Sequence, residues 1–175
     1  MLGNIFLVGM MGAGKTTIGK ALAKKLERKF LDTDQEVVRR TGVAIPIIFD
    51  IEGEAGFRSR EQAVLEELTQ MNDIVLAMGG GIVLHQTNRD ILKSRGTVIY
   101  LRANAEDLWR RTRRDRGRPL LQTPHPLETL RTLYGQRDPL YQEVADVIID
   151  TGSQSVQRLL DEIEQKLDAF SARPL

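Results

Sequence analysis

The chain has 175 residues, 41% hydrophobic and 28% charged, with a formal net charge of +1 and no cysteine. That length and composition fit one domain, residues 1–175, with a core of its own. They exclude a disulfide framework, a thiolate metal site and a cysteine nucleophile; they offer no overall field for nucleic acid or membrane, and no apolar stretch nears the ~20 residues of a bilayer span.

Met1–Val8 is too short for a signal peptide and runs straight into a motif-bearing loop, so a soluble, cytoplasmic protein is expected. Within it, Asn4–Val8 (NIFLV) reads as a buried strand. Gly9–Thr16 (GMMGAGKT) then matches G-x-x-x-x-G-K-[ST] between a strand and a helix, the context that motif needs. Glycines let backbone N–H groups turn toward an anion, and the helix N-terminus adds partial positive charge. Lys15 can bridge β- and γ-phosphates, and Thr16 can offer its hydroxyl to Mg²⁺. The spacing of Ile18, Leu22 and Leu26 predicts a helix over Lys15–Arg28.

Phe30–Thr33 is expected as a short strand, and Asp34–Arg40 opens a helix. Thr33 and Glu36 are spaced as a capping box, with Asp34 in the first turn where negative charge is favoured. That leaves Asp32 unexplained. Two carboxylates spaced i, i+2 at a strand end beside the phosphate loop can divide labour. One can hold a water on Mg²⁺ and the other can meet a substrate hydroxyl. Pro46 is expected to interrupt or start a helix, and Glu54–Gln70 is a longer one.

Ile74–Met78 is a strand that runs into Gly79-Gly80-Gly81, with no acid at its end. The Asp32 strand is expected to supply that acid, and the glycines to let backbone approach a small ligand. Asn88–Ser94 and Ala105–Arg114 read as helices around a strand at Thr97–Leu101. From about Arg113 to Pro126 the chain is polar, Arg-rich and Pro-interrupted, which predicts an exposed, mobile loop. Leu127–Gln136 is helical and expected to stop before Pro139. Val147–Asp150 is a last strand and Ser155–Ala169 a last helix. Strands alternating with helices predict an α/β fold: a three-layer sandwich whose five-stranded parallel sheet carries helices on both faces. Ligands then gather at the strands' carboxyl ends.

Arg58 in GFRSRE and Arg137 in GQRDPLY could both face the glycine triplet. An arginine fork suits a planar carboxylate, so the pair suggests a small carboxylic acid. His85 and His125 lack metal-ligand spacing. The basic run Arg110–Arg118 could suggest RNA, but only Trp109 interleaves it, and no nucleic-acid partner is expected.

Taken in order and spacing, GMMGAGKTT, LDTD, GFRSRE, GGG, RGRPLL and RDPLY resemble shikimate kinase from Asn4 to about Gln154. The resemblance implies a monomeric kinase domain of P-loop NTPase type, with a substrate-binding region near residues 34–62 and a mobile lid near 112–126. It implies transfer of the γ-phosphoryl group of ATP to the 3-hydroxyl of shikimate with one Mg²⁺. Gly12, Ala13, Gly14, Lys15, Thr16 and Thr17 would cradle the phosphates, and Asp32 would hold the metal's water shell. Asp34 would orient or deprotonate the accepting hydroxyl. Arg58, Arg137 and the shelf Gly79, Gly80 and Gly81 would bind the acid. Arg118 would come from the lid onto the transferring phosphate, with Arg111 and Gln154 near the adenine. Phe49 and Phe57 would wall the substrate pocket, and Glu61 would orient Arg58. The loop Asp150–Gln154 lacks a proline that some members set against adenine. Another small P-loop kinase, acting on gluconate or a nucleoside monophosphate, would share Gly9–Thr16 but not the rest of the set. A non-catalytic ATP-binding module is the alternative from another class.

Overall fold

Among the described residues five strands form the central sheet: β1 (Asn4–Val8), β2 (Lys29–Asp32), β3 (Ile74–Ala77), β4 (Gly96–Arg102) and β5 (Val147–Asp150). They pair in parallel throughout, in the order β2-β3-β1-β4-β5. The computed structural model describes residues 3–172; the two residues before and three after lie outside the described residues. Parallel pairing requires crossovers, and among the described residues six helices supply them: α1 (Lys15–Lys25), α2 (Thr33–Thr41), α3 (Ile45–Leu68), α4 (Gln86–Arg95), α5 (Ala105–Thr112) and α6 (Pro126–Val144); a seventh, α7 (Val156–Ser171), follows the last strand. Helix α1 packs on β2 and β3 and against α7, while α4 and α6 pack on β4. Both faces of the sheet are therefore covered, which is why β1 and β3 are buried along their whole length. No helix among the described residues is long and apolar enough to cross a membrane.

Register sets the site. Leu7 and Asp32 both pair with Ala77, so β1, β2 and β3 reach their carboxyl ends at one level. The segments that leave there, Gly9–Gly14, Asp32–Asp34 and Gly79–Gly81, start side by side.

Several expectations change or sharpen. Asp32, not Thr33, is the N-cap of α2: its carboxylate accepts from the Gln35 N–H at 3.1 Å. Thr33 is fully buried inside the first turn, where its hydroxyl is used elsewhere. Pro46 starts a helix, since it occupies the first turn of α3, where its missing N–H has no partner to lose. That helix is two pieces, because Gly53 (φ 71°, ψ −178°) breaks it just before the expected start at Glu54. Helix α6 does not stop before Pro139 but continues to Val144. Its buried face (Leu130, Arg137, Tyr141 and Val144) holds it in place, and that packing outweighs the ~3 kcal/mol an interior proline costs. The arginine-rich loop is anchored as well as exposed. Pro119–Leu121 forms a short 3₁₀ turn with Leu121 buried.

Candidate active site

Two cavities meet at the strand ends. The first spans about 820 Å³, open solvent at its mouth included, and lies over the phosphate loop, lined there by Gly12, Gly14, Lys15, Thr16 and Thr17. Asp32 enters from β2, Arg111 from α5 and Arg118 from the lid. The Thr16 hydroxyl donates to Asp32 Oδ2 at 2.8 Å, which brings a hydroxyl and a carboxylate to one point. Lys15 Nζ donates to the carbonyls of Gly9 (2.6 Å) and Met10 (2.8 Å) along the loop. Burial pushes Lys15 down to about 8, against the carboxylates of Asp34 and Asp32; the Arg118 cation adds to the lowering.

The second cavity, about 460 Å³, opens beyond it. Phe49 and Phe57 form one wall, their ring centroids 5.1 Å apart, with Ile45 beside them. Arg58, Arg137 and the three glycines line the other side, and the lid closes over with Gly117, Arg118, Pro119 and Leu120. Asp34, Arg118, Met11 and Gly80 border both cavities. A group passing from one cavity to the other passes between a carboxylate and a guanidinium.

The glycine triplet makes room for the charged side chains around it. A Cβ on Gly79 would lie 2.4 Å from Glu61 Oε1 and 2.7 Å from Asp34 Oδ1. On Gly80 it would lie 3.3 Å from Arg137 Nη1, and on Gly81 it would fall 2.2–2.4 Å from the Arg58 guanidinium. Each glycine thus seats one part of a charged ring.

That ring is unfinished. Arg58 is held by Glu61 (2.9 Å) and Glu54 (3.2 Å), yet its Nε has no partner. Arg137 is 2% exposed, and its Nε also lacks one. Asp34 Oδ1 and Glu61 Oε1 are buried acceptors with nothing bonded to them. Native proteins rarely leave such groups orphaned, and here two donors and two acceptors converge on one cleft. Burial raises Asp34, and the nearby Asp32 charge raises it further. Burial also lifts Glu61 to about 7, although Arg58 opposes it.

Two expected residues stand apart. Ala13 is buried, lines neither cavity, and its N–H donates to Met10 O at 3.1 Å. Gln154 spends its amide on its own loop, accepting from the Gly152 N–H (2.6 Å) and donating to Asp150 O (3.2 Å). Arg111 reaches across instead, to Gly12 O (3.2 Å) and Gly152 O (2.8 Å), tying the phosphate loop to the loop after β5. The sequence reading missed Glu54 as a partner of Arg58 and both Thr33 and Tyr141 as contacts of the triplet. The signals were present: Glu54 and Tyr141 stand four residues from Arg58 and Arg137, on the same helix faces.

The family model for shikimate kinase matches residues 11–168. The chain is 55% identical to shikimate kinase of Burkholderia lata over 174 residues, covering 98% of this chain and 95% of that one. It is 58% identical to the Bordetella pertussis shikimate kinase over 169 residues, or 97% and 80% of the two chains. Among solved structures, shikimate kinase from Acinetobacter baumannii in complex with shikimate superposes with a TM-score of 0.96 at 49% identity, over 99% of this chain and 97% of that one. Because the match runs through the acidic strand end, the glycine triplet and the lid as well as most of the phosphate loop, this chain belongs to the shikimate kinase family.

Proposed function

We propose that the protein transfers the γ-phosphoryl group of ATP to the 3-hydroxyl of shikimate, giving ADP and shikimate 3-phosphate on the route to chorismate and the aromatic amino acids. The observation that carries this reading is the shared border: Asp34 and Arg118 line both the phosphate cavity and the acid-binding cleft. Arg58 and Arg137 supply the fork donors for a carboxylate at the far end of the cleft. Asp34 Oδ1, buried and unpartnered, supplies the acceptor for a hydroxyl at the near end.

The hydroxyl oxygen attacks the γ-phosphorus, the bond from that phosphorus to the bridging oxygen breaks, and ADP leaves. Asp34 takes the hydroxyl proton, late if the transition state is loose. Its raised pKa makes it a better acceptor for that proton. Lys15 and Arg118 spread charge away from the phosphoryl oxygens. Asp115 accepts from Arg118 Nε (3.0 Å) and from the Gly117 N–H (2.8 Å), so one carboxylate shapes the lid turn and aims its arginine. Lid cover over the cleft excludes water, which would otherwise take the phosphoryl group.

The residues fit Mg²⁺. Thr16 and Asp32 present hard oxygens side by side, and no group of three or more His, Cys, Asp or Glu among the described residues forms a dedicated cage. Such a set suits an ion that keeps its waters and shares phosphate oxygens. When bound, Mg²⁺ supplies charge neutralisation at the phosphates. The lid near residues 112–126 and the substrate region near 34–62 then act as parts of one kinase domain.

The test is ADP release from Mg·ATP with and without shikimate, beside gluconate and AMP. ADP formed only with shikimate is expected. Release with gluconate or AMP instead would keep the fold and change the substrate. No release with any of them, despite ATP binding, would favour a non-catalytic module.

A further inference from the structure

Three peptide groups run through the glycine triplet, and each is held by a different neighbour. The Gly79 N–H donates to Thr33 Oγ1 at 2.9 Å. The Gly79 carbonyl accepts from the Ile82 N–H at 3.1 Å. The Gly80 carbonyl accepts from the Tyr141 hydroxyl at 2.6 Å. A trans peptide is planar, so a carbonyl and the next N–H point in opposite directions. Holding the Gly79 carbonyl turns the Gly80 N–H away from Ile82, and holding the Gly80 carbonyl turns the Gly81 N–H away from Tyr141. Neither N–H finds an acceptor among the described residues, although both glycines line the cleft.

Thr33 and Tyr141 are fully buried and line neither cavity. We propose that they are positioning residues for the acid substrate, whose hydroxyls lock the glycine shelf with the Gly80 and Gly81 N–H groups turned into the cleft. The proposal rests on the shikimate kinase reading of that cleft. Three successive glycines are the least restrained backbone a chain can offer, so the restraint must come from outside. It comes from two sides at once. Thr33 precedes Asp34 on α2, and Tyr141 follows Arg137 by one turn on α6. Each hydroxyl therefore ties the shelf to the helix that carries a substrate-binding side chain. Shelf, carboxylate and arginine move as one registered unit.

Steady-state kinetics of Thr33→Val, Thr33→Ser and Tyr141→Phe test this, with shikimate and ATP varied separately. Thr33→Val and Tyr141→Phe are each expected to raise KM for shikimate about three- to tenfold, the size of one buried hydrogen bond. KM for ATP stays unchanged, and Thr33→Ser, which keeps the hydroxyl, stays near wild type. In the full-length protein, amide exchange at Gly79 is slow in wild type and Thr33→Ser and accelerates in Thr33→Val. An unmoved shikimate KM, or parallel rises in both KM values, overturns the proposal. If Thr33→Val does not fold, Tyr141→Phe decides with amide exchange at Ile82, which donates to the Gly79 carbonyl, as its second readout; the Tyr141 hydroxyl also interacts with Arg137, so a raised KM with unchanged exchange overturns the proposal. Wild-type protein that fails to phosphorylate shikimate removes the functional reading and this proposal with it. Active wild type beside variants with normal shikimate KM removes this proposal only.

Discussion

The molecule carries two glycine-rich loops at neighbouring strand ends, and only one of them needs glycine for its backbone conformation. In the phosphate loop Gly9, Gly12 and Gly14 take φ values of +148°, +82° and +96°, a backbone that other residues adopt only with strain. In the triplet, none of Gly79, Gly80 and Gly81 takes a positive φ. There the missing atom is what matters, because a Cβ would collide with Asp34, Glu61 or Arg58. One loop needs conformational freedom to wrap an anion with N–H groups, and at Gly9 and Gly12 it needs space too, since a Cβ would lie 2.5 Å from Leu101 O and 2.7 Å from Thr112 Cγ2. The other needs empty space so that charged side chains can crowd a small acid. Similar composition thus conceals two mechanisms, and substitutions separate them.

The largest effect is expected at the border between the loops. Asp34→Asn should lower kcat by about 10²–10⁴, as loss of a general base does, with ATP affinity intact. Near-normal turnover would remove Asp34 from the chemistry. Next comes Gly81→Ala, whose methyl would occupy the place of the Arg58 guanidinium. We expect KM for shikimate to rise at least about tenfold, the loss of a charged hydrogen bond, with KM for ATP unmoved. A matching defect in ATP binding would break the comparison. Gly14→Ala should do the reverse. Its nearest neighbour would be Ile18 Cγ1 at an ordinary 3.9 Å, so only the positive φ is penalised. That costs about 1–2 kcal/mol and a few degrees of Tm, raises KM for ATP, and spares shikimate.

The smallest effect is in pH. Lys15 is lowered from 10.5 to about 8. Because kcat/KM for ATP reports the free enzyme, it should fall as pH climbs through about 8 and the cation is lost. Stability should move the other way. Between about 8 and 10.5 the unfolded chain holds the Lys15 proton more tightly than the folded one, so this group adds stability as pH rises. Activity and Tm followed together from pH 7 to 10 would check the opposition; a flat kcat/KM would place Lys15 outside the titrating group.

Much of this was legible before any coordinates. Strand and helix alternation gave the parallel sheet, because buried strands are continuously apolar and short. The phosphate loop carried its own context in Val8 before it and the helix after it. What could not be read depended on partners distant in sequence. The role of Thr33 hinged on Gly79, a residue from another strand, while locally it fitted a helix cap as well. Pro139 pointed to a helix end by local rules, and only the burial of Arg137 and Tyr141 against the sheet shows why the helix runs on. Gln154 was placed by resemblance near a nucleotide, but its amide is spent within its own turn.

Arg137 carries a consequence beyond catalysis. It is buried, its Nε has no partner, and no carboxylate among the described residues lies within ion-pair distance, although its charge is felt by Glu61. A buried cation with so little direct pairing gains stability when an anion arrives. On the proposed reading the arriving anion is the metabolite itself, and a ligand at a hundred times its Kd adds about 2.7 kcal/mol of stability. The protein is then at its sturdiest when there is work to do, and most open to unfolding and proteolysis when its acid runs out. Flux through the reaction and lifetime of the catalyst would rise and fall together.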